Sequence, residues 1–170
     1  MQSGFSAPLA KQFLTLVPQM VKRPLAVVPF TLKAKLIAKG LSLVLAQQEQ
    51  DDELAFLNGK WVAIQVTDID LVFEVSFNGK WLVREVTSPD VTFMAQTQDL
   101  VLVASGQEDP DTLFFQRKLS IEGDTELGLE VKNLLLSVEF STMPAPIRVA
   151  IEKCAVLIQK LQSQAEMAAY

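Results

Sequence analysis

The chain has 170 residues, of which 49% are apolar, and it carries a net charge of −5. This length suits one domain with an appendage, and the apolar fraction exceeds what a compact domain of this size needs for its own core. It contains no histidine, which excludes Ser-His-Asp and Cys-His nucleophile systems. Its one cysteine, Cys154, excludes an intramolecular disulfide and cysteine-rich metal sites, and the absence of disulfides fits a reducing compartment.

The basic residues are concentrated at the start of the chain. Residues 1–48 contain six basic side chains and no acid, a charge of +6, whereas the remainder has nine basic and twenty acidic residues, a charge of −11. The first 25 residues lack the pattern of a signal peptide, and no apolar window in this leader is long enough to span a bilayer. The acidic body argues against a nucleic acid as a partner.

Two helices are predicted in the leader, one beginning near Pro8 and one following Pro29 with Thr31 as its N-cap. The apolar side of the second comprises Leu32, Leu36, Ile37, Leu41, Val44 and Leu45. Such a helix flanked by lysines can lie in the headgroup plane of an anionic membrane, and it can equally pack on the domain. Both interpretations stay open. The side chains predicted to contact a membrane are Phe13, Leu16, Lys22, Arg23, Phe30, Lys33, Lys35 and Lys39.

From Asn58 onward the apolar residues alternate, which predicts strands. Four strands are expected in "GKWVAIQV", "DLVFEVSF", "KWLVREV" and "VTFMA", and Asn78-Gly79 indicates a hairpin turn between the second and third. A helix in "QTQDLVLVASG" and a short helix in "DPDTLFF" follow. The fifth strand lies in "RKLSIEG", with Leu119 and Ile121 facing inward.

Two more helices are predicted in the last third of the chain. The helix over 124–139 has an apolar stripe, and the helix after Pro144 and Pro146 carries Cys154 in its apolar pattern, which predicts that this thiol is buried. The predicted fold class is α+β, with a five-stranded, mostly antiparallel sheet covered by helices. Its parts are a basic amphipathic helical extension over 1–48, the domain over 49–142 and a C-terminal helix over 143–170.

The acidic run at Gly123–Glu126 could belong to a catalytic site or to a strand-to-helix turn. Asp124 is placed to cap the following helix and Glu126 to complement its dipole. Asp109 and Asp111 have the pattern of caps around Pro110. We therefore expect no catalytic residue and no metal site. An enzyme would have to use Asp68, Asp70, Arg117, Lys118, Asp124 and Glu126, and two of these carboxylates in one cleft with raised pKa values would favour it.

The surplus of apolar residues indicates a cavity. Leu129, Leu136 and Phe140 lie off the main stripe of the 124–139 helix, and strands facing a helix with two apolar sides can enclose space for an apolar ligand. A tightly packed core is the other interpretation. The side chains predicted to bind lipid are Phe73, Val75, Phe77, Phe93, Phe114, Phe115, Leu119, Ile121, Leu127, Val131, Leu134 and Leu135.

One run of the chain resembles the sterol carrier protein 2 domain. The resemblance rests on "FNGKW", "SPDVTFMAQTQDLVLVASG" and "DPDTLFFQRKLSIEGDTELGLEVKNLL" and covers roughly residues 50–140. The family motif Phe-x-x-Lys-Leu-x-Ile-x-Gly-Asp is matched by Phe115, Lys118, Leu119, Ile121, Gly123 and Asp124. Arg117 stands where many of these domains have Gly. The resemblance implies that a helix, this strand and turn, and a following helix close a lipid tunnel.

The leader segment "VPFTLKAKL" and the same motif run look similar to bacterial members of this family that act in ubiquinone biosynthesis. That resemblance implies a non-enzymatic accessory factor of the oxygen-independent route, without a cofactor, that binds the isoprenoid tail of ubiquinone, a prenylated precursor or a phospholipid. It further implies a cytoplasmic protein peripherally associated with the inner membrane, and a pair of iron–sulfur peptidase-like hydroxylases as partners. A general phospholipid or fatty-acid carrier, a protein-interaction scaffold for those hydroxylases and a homodimer stay open.

Overall fold

A five-stranded mixed sheet lies at the centre of the fold in the computed structural model, which describes residues 12, 16 and 22–167. Its order is β3-β2-β1-β4-β5; all neighbours are antiparallel except β1 and β4, which are parallel. The predicted mostly antiparallel sheet is therefore confirmed. The strands are β1 (Val62–Val66), β2 (Leu71–Phe77), β3 (Trp81–Arg84), β4 (Val91–Ala95) and β5 (Ser120–Gly123).

The register places the alternating apolar residues on one face. Ile64 of β1 is opposite Phe73 of β2 on one side and Phe93 of β4 on the other. Because successive side chains of a strand point to opposite faces, Val62 and Val75 share this inner face, which holds most of the buried core.

Helices cover the inner face and both ends of the sheet. α1 contacts β3, α5 contacts β4 and β5, and α6 packs on α3. No helix in the described part of the chain is long and apolar enough to cross a bilayer. The helices are α1 (Phe30–Val44), α2 (Ala46–Gln50), α3 (Thr97–Ala104), α4 (Pro110–Phe115), α5 (Thr125–Ser137) and α6 (Ala145–Met167), with short 3-10 turns at Ala55–Leu57 and Phe140–Thr142 and a further helical stretch at residues 22–27.

Two local predictions about the helices are wrong. Thr31 does not cap α1, because the helix already begins at Phe30 with Pro29 in the N-cap position and no side-chain hydrogen bond there. Cys154 is exposed. Ala155, the next residue along α6, is completely buried.

The connection from β3 to β4 crosses the outer face of the sheet and is held there by Glu74. This carboxylate is fully buried and accepts hydrogen bonds from Arg84 Nε at 2.6 Å and from the backbone N–H of Thr87 at 2.8 Å. The Arg84 guanidinium also lies 3.6 Å from the centre of the Trp61 ring. Because this crossing returns the chain to the far side of β1, β4 can pair parallel to β1.

We expect Glu74→Ala to lower the free energy of unfolding by about 3 kcal/mol, because it leaves the Thr87 N–H and the Arg84 guanidinium without their buried partner. The measurement is urea unfolding followed by circular dichroism. The matched control is Glu85→Ala, an exposed carboxylate beside the same connection, for which a change within about 0.5 kcal/mol is expected. Equal losses in the two variants would contradict the role of Glu74.

Candidate functional site

An apolar cavity of about 110 Å³ lies between the inner face of the sheet and the helices. Its walls come from β1 and β4 on one side and from α3, α4 and α5 on the other. Of the described residues that line it, Gln65 is polar and the other eleven are apolar. The lining residues are Val62, Ile64, Gln65, Phe93, Ala95, Leu100, Val103, Pro110, Leu113, Leu119, Val131 and Leu135.

The position of α5 sets the height of this cavity. The helix starts at the Asp124 cap, whose Oδ1 accepts from the N–H groups of Glu126 and Leu127 at 3.0 Å each, so the predicted cap is confirmed. Gly128 then lies so close to the sheet that an added Cβ would be 2.9 Å from Ile121 Cγ2. One turn and two turns later, Val131 and Leu135 line the cavity instead of touching the strands tightly.

Four of the predicted lipid-binding side chains line the cavity, namely Phe93, Leu119, Val131 and Leu135. Six others pack in or against the core cluster away from the cavity wall: Phe73, Val75, Phe77, Ile121, Leu127 and Leu134. They face inward as predicted, but they are part of the packed core and do not line the cavity.

The prediction that Phe114 and Phe115 face the cavity is wrong. Phe115 is 82% exposed and Phe114 is 44% exposed, and the two rings pack edge to face on each other at 6.1 Å. Leu113 occupies the inward position of α4 and is buried in the cavity wall. Consecutive residues of a helix are about 100° apart, so the two phenylalanines that follow Leu113 turn away from the sheet.

Several cavity residues lie on elements that were predicted correctly but were not assigned to the site. Leu100 and Val103 of α3 are three residues apart, as are Pro110 and Leu113 of α4, so each pair shares one helical face. This spacing was the available signal. It did not reveal that α3 and α4 close the end of the cavity, because their placement depends on packing between elements distant in sequence.

A polar pocket of about 350 Å³ adjoins the apolar cavity at the end of the sheet where β1 and β4 stop and β5 begins. Ala95 belongs to the wall of both spaces. Arg117 and Lys118 bring positive charge to this pocket. The residues that line it are Thr67, Met94, Ala95, Gln96, Gln98, Asp99, Arg117, Lys118 and Ser120.

Asp99 is the unusual member of the polar pocket. Its side chain is only 2% exposed, and no described residue gives its Oδ1 a hydrogen bond. Burial raises the pKa of the Asp99 carboxyl; the positive charge of Lys118 opposes this increase, and the negative charges of Asp68 and Glu108 add to it. Asp99 was not among the acids singled out from the sequence, because its position in a helix gives no local sign of its burial.

Other acids predicted to form caps and turns have structural partners. Asp109 caps α4 by accepting from the N–H of Asp111 at 2.6 Å. Asp68 accepts from the N–H and hydroxyl of Thr97, both at 2.9 Å. The prediction that Asp111 is also a cap is wrong, because its carboxylate pairs with Lys132 Nζ of α5 at 2.6 Å. Among the described residues, no three acidic or cysteine side chains are grouped as metal ligands.

The outer face of α1, formed by Leu32, Lys35, Leu36 and Lys39, points away from the core. Leu32 is 48% exposed and Leu36 is 64% exposed, and the two lysines beside them are exposed as well. The opposite side of α1, including Ile37 and Leu41, packs against the core cluster. The second leader helix therefore has both an inward apolar side and an outward one.

The other predicted membrane-contact residues are divided between surface and core. Phe30 is half-buried and packs against the core cluster, on the inward side of α1. Leu16 and Arg23 are exposed, Lys33 is half-buried, and Lys22 is exposed but forms an ion pair with Asp70. Phe13 lies outside the described residues.

The chain is similar to a protein family, to individual proteins of known sequence and to a solved structure. The model of the SCP-2 sterol transfer family matches residues 41–136. The chain is 42% identical over 152 residues to the ubiquinone biosynthesis accessory factor UbiT of Escherichia coli strain K12, covering 89% of this chain and 87% of that protein, and UbiT of strain O157:H7 matches to the same extent. The solved structure of the ubiquinone synthesis protein UbiJ-SCP2 has a TM-score of 0.52 and 18% identity, over 65% of this chain and 100% of that chain, a likeness of fold.

We expect Asp99→Asn to raise the free energy of unfolding at pH 7, by on the order of 1 kcal/mol, because it removes the charge of a buried carboxyl group whose Oδ1 has no described hydrogen-bond partner. The pKa of Asp99 is higher in the folded chain than in the unfolded chain. The protonated Asp99 carboxyl group therefore makes its full contribution to stability below the ordinary aspartate pKa of about 3.9. This contribution is lost as the pH rises through the pKa of the folded chain.

The difference between Asp99→Asn and the wild type should consequently shrink as the pH falls toward 4. The measurement is urea unfolding of both proteins between about pH 4 and pH 8. Asp51→Asn, at an exposed carboxylate, is the control, with a small difference that does not follow this pH dependence. A less stable Asp99→Asn protein at pH 7 would contradict the prediction.

Proposed function

The chain belongs to the SCP-2 sterol transfer family, and from this membership we propose that it is a non-enzymatic lipid-binding accessory factor of ubiquinone biosynthesis. The observation that carries the proposal is the apolar cavity between the sheet and α5. Together with the identity to UbiT over most of the chain, it supports an isoprenoid chain of ubiquinone or of a prenylated precursor as the ligand. A phospholipid acyl chain is the alternative ligand for the same walls.

Binding of such a chain is driven by the hydrophobic effect, at about 25 cal/mol for each Å² of apolar surface removed from water. A preformed cavity of about 110 Å³ is smaller than the roughly 150 Å³ that accommodates benzene. It therefore holds only a short part of a polyprenyl chain without a change in its walls. The remaining chain length must either widen the cavity or extend through its opening.

The proposed role requires no reaction at the protein's own side chains. Each of three carboxylates has a structural role, because it accepts a hydrogen bond from a backbone N–H group: Asp68, Asp109 and Asp124. We propose that the chemistry belongs to partner enzymes, a pair of iron–sulfur peptidase-like hydroxylases of the oxygen-independent route, as the resemblance of the leader and motif implies. The chain would present its bound ligand to them on the cytoplasmic side of the inner membrane.

Docking on that membrane is proposed to use the outer face of α1. Two exposed leucines flanked by Lys35 and Lys39 suit the headgroup region of an anionic bilayer. Each basic side chain near such a surface contributes about 1 kcal/mol, and residues 1–48 contain six of them and no acid. The charge of the leader and the exposure of its leucines therefore favour the same surface.

Filling the cavity should abolish ligand binding without unfolding the protein. We expect Val131→Phe, which extends a ring from α5 into the cavity, to reduce co-purified lipid or quinone at least tenfold, while the free energy of unfolding changes by less than about 3 kcal/mol. The measurement is solvent extraction of the purified protein followed by mass spectrometry.

The matched control for the cavity variant is Leu129→Phe, two residues away on the exposed side of α5, which should retain the wild-type amount of ligand. Recovery of no lipid or quinone from any wild-type preparation, after expression in cells that make ubiquinone, would refute the proposed function. Equal ligand content in the Val131→Phe and wild-type proteins would refute the cavity as its site.

Removing the outward leucines of α1 should weaken membrane binding. We expect the double variant Leu32→Ser/Leu36→Ser to bind vesicles containing anionic phospholipid about tenfold more weakly than the wild type, because less apolar surface can enter the headgroup region. Vesicle co-sedimentation at low and high salt measures this effect. Val86→Ser, which removes an exposed valine from the β3–β4 connection, is the control and should bind as the wild type does.

The same double variant separates docking from a scaffold function. Unchanged vesicle binding together with lost binding of the hydroxylase pair would favour the protein-interaction scaffold over the membrane contact. If the Val86→Ser control also loses both vesicle binding and binding of the hydroxylase pair, the outer face of α1 is not the specific contact.

A further inference from the structure

We propose that the exposed end of α4, the tip formed by residues 114–118, enters the headgroup region of an anionic bilayer and is the place where the cavity exchanges its ligand with that bilayer. The inference rests on the proposed function, in which the apolar cavity holds a lipid chain. It adds the route by which such a chain enters and leaves, and a membrane contact separate from α1.

The tip is a run of five consecutive exposed residues with the sequence Phe-Phe-Gln-Arg-Lys. Phe115 is 82% exposed, and its ring packs edge to face on the ring of Phe114, which is itself exposed. The two rings therefore hold apolar surface in water next to each other, at the end of a helix. Contact with a bilayer would remove that surface from water.

The charge of the tip is opposite to that of the domain around it. Residues 112–121 contain Arg117 and Lys118 and no acid, a charge of +2, whereas residues 49–170 as a whole carry −11. Exposed rings followed directly by cations combine the two attractions of interfacial binding, apolar insertion and attraction to anionic headgroups.

The nearest acid in the sequence does not neutralise the tip. Asp111 pairs with Lys132 Nζ of α5 at 2.6 Å, so its charge is already balanced within the protein. The positive charge also disfavours a second copy of the chain as the occupant, because a symmetric dimer built through the tip would bring Arg117 and Lys118 close to their own copies. A negatively charged surface is the better complement.

The backbone of the tip is already hydrogen-bonded within the protein. The N–H groups of four consecutive residues, 116–119, donate to carbonyl oxygens of α4 at 2.9 to 3.1 Å. This matters because a backbone N–H that leaves water without a partner is costly in an apolar environment. The tip can therefore enter the headgroup region without leaving these N–H groups unpaired.

Arg117 closes this turn with a φ of +59°, in the left-handed region that favours glycine. Glycine would make the same turn with less strain, so the Arg117 side chain is present although it strains the backbone. An anionic headgroup gives this exposed guanidinium a charged partner.

Both ends of the tip lie in the wall of the cavity. Leu113 before it and Leu119 after it are buried and line the cavity, and the N–H of Leu119 donates to the Leu113 carbonyl at 3.1 Å. The chain itself separates the tip from the cavity, so a ligand passes here only when α4 moves. A tip held in the headgroup region places that movement at the lipid surface instead of in water.

Vesicle binding tests the contact of the aromatic rings. We expect Phe115→Ser to bind vesicles of phosphatidylcholine and phosphatidylglycerol about tenfold more weakly than the wild type, because less apolar surface enters the bilayer. Phe115→Trp should restore wild-type binding, since tryptophan favours the interface. Leu157→Ser, which removes an exposed leucine from α6, is the matched control and should bind as the wild type does. The measurement is co-sedimentation of the full-length protein.

The charge of the tip is tested with Arg117→Gly, which keeps the left-handed turn. We expect about fivefold weaker binding to the same vesicles at low salt, and a change within about twofold at high salt or on phosphatidylcholine alone. Lys80→Gln, at the exposed turn between β2 and β3, is the matched control for the loss of one positive charge and should bind as the wild type does.

Ligand exchange is followed with vesicles that contain ubiquinone. Protein is separated from the vesicles by flotation after increasing times, and the quinone that it has acquired is extracted and measured by absorbance. We expect Phe115→Ser to acquire ubiquinone about tenfold more slowly than the wild type. The amount bound at equilibrium should be the same in both, because Phe115 does not line the cavity. Thermal unfolding confirms that each variant is folded.

Each contrary outcome overturns a defined claim. If Phe115→Ser and Arg117→Gly bind vesicles as the wild type does, the inference is overturned and the proposed function stands. If Phe115→Ser loses vesicle binding but acquires ubiquinone at the wild-type rate, the tip is not the place of exchange. If the wild type acquires no ubiquinone at any time, the proposed function fails and the exchange assignment fails with it. If Phe115→Ser converts a dimer to a monomer in sedimentation velocity while vesicle binding is unchanged, the tip is an interface between copies and the inference is overturned.

Discussion

The distance between α5 and the sheet is the constraint on which the rest of the site depends. At the start of the helix this distance is minimal, because Gly128 has no side chain between α5 and Ile121. The turn before it is equally tight, since an added Cβ at Gly123 would lie 2.5 Å from the Asp90 carbonyl oxygen. Further along, Val131 and Leu135 meet a space instead of a strand. One end of α5 is thus fixed against the sheet, and the other end covers the cavity.

This arrangement determines which walls can accommodate a longer ligand. The sheet cannot open without breaking its hydrogen bonds, and its outer face is held by the buried Glu74. The near end of α5 is held by its cap and by the Gly128 contact. The remaining walls are α3 and α4, of eight and six residues. Short helices have few hydrogen bonds and small buried surfaces, so displacing them costs the least.

The features that the sequence predicted correctly are those set by local chemistry. The strands follow from the alternation of apolar residues. The caps of α4 and α5 follow from Asp109 and Asp124, whose carboxylates accept hydrogen bonds from N–H groups two or three residues later in the chain. Periodicity also identified four of the cavity residues, because an inward face can be inferred without knowing what lies opposite it. The errors at Phe115 and Cys154 have one cause: a small rotation of a helix about its axis decides exposure, and that rotation is set by neighbours distant in sequence.

The parallel pairing of β1 with β4 and the burial of Asp99 could not be inferred for the same reason. Both result from segments about thirty residues apart meeting at one end of the sheet, as Thr97 and Asp68 do. The secondary-structure propensity of a local segment does not predict contacts with segments that are distant in sequence. The polar pocket lies at this junction, so its residues come from the loop after β1, the end of β4, α3, the turn after α4 and the start of β5.

Asp99 and the outer face of α1 share a physical property that explains why they matter. A buried carboxyl oxygen without a described partner makes the folded chain less stable than it could be, and two partly exposed leucines keep apolar surface in contact with water. Each group would be better satisfied by contact with something outside the chain, a hydrogen-bond donor for Asp99 and an apolar surface for Leu32 and Leu36. The groups that fit the fold least well are therefore the best guide to what the protein binds.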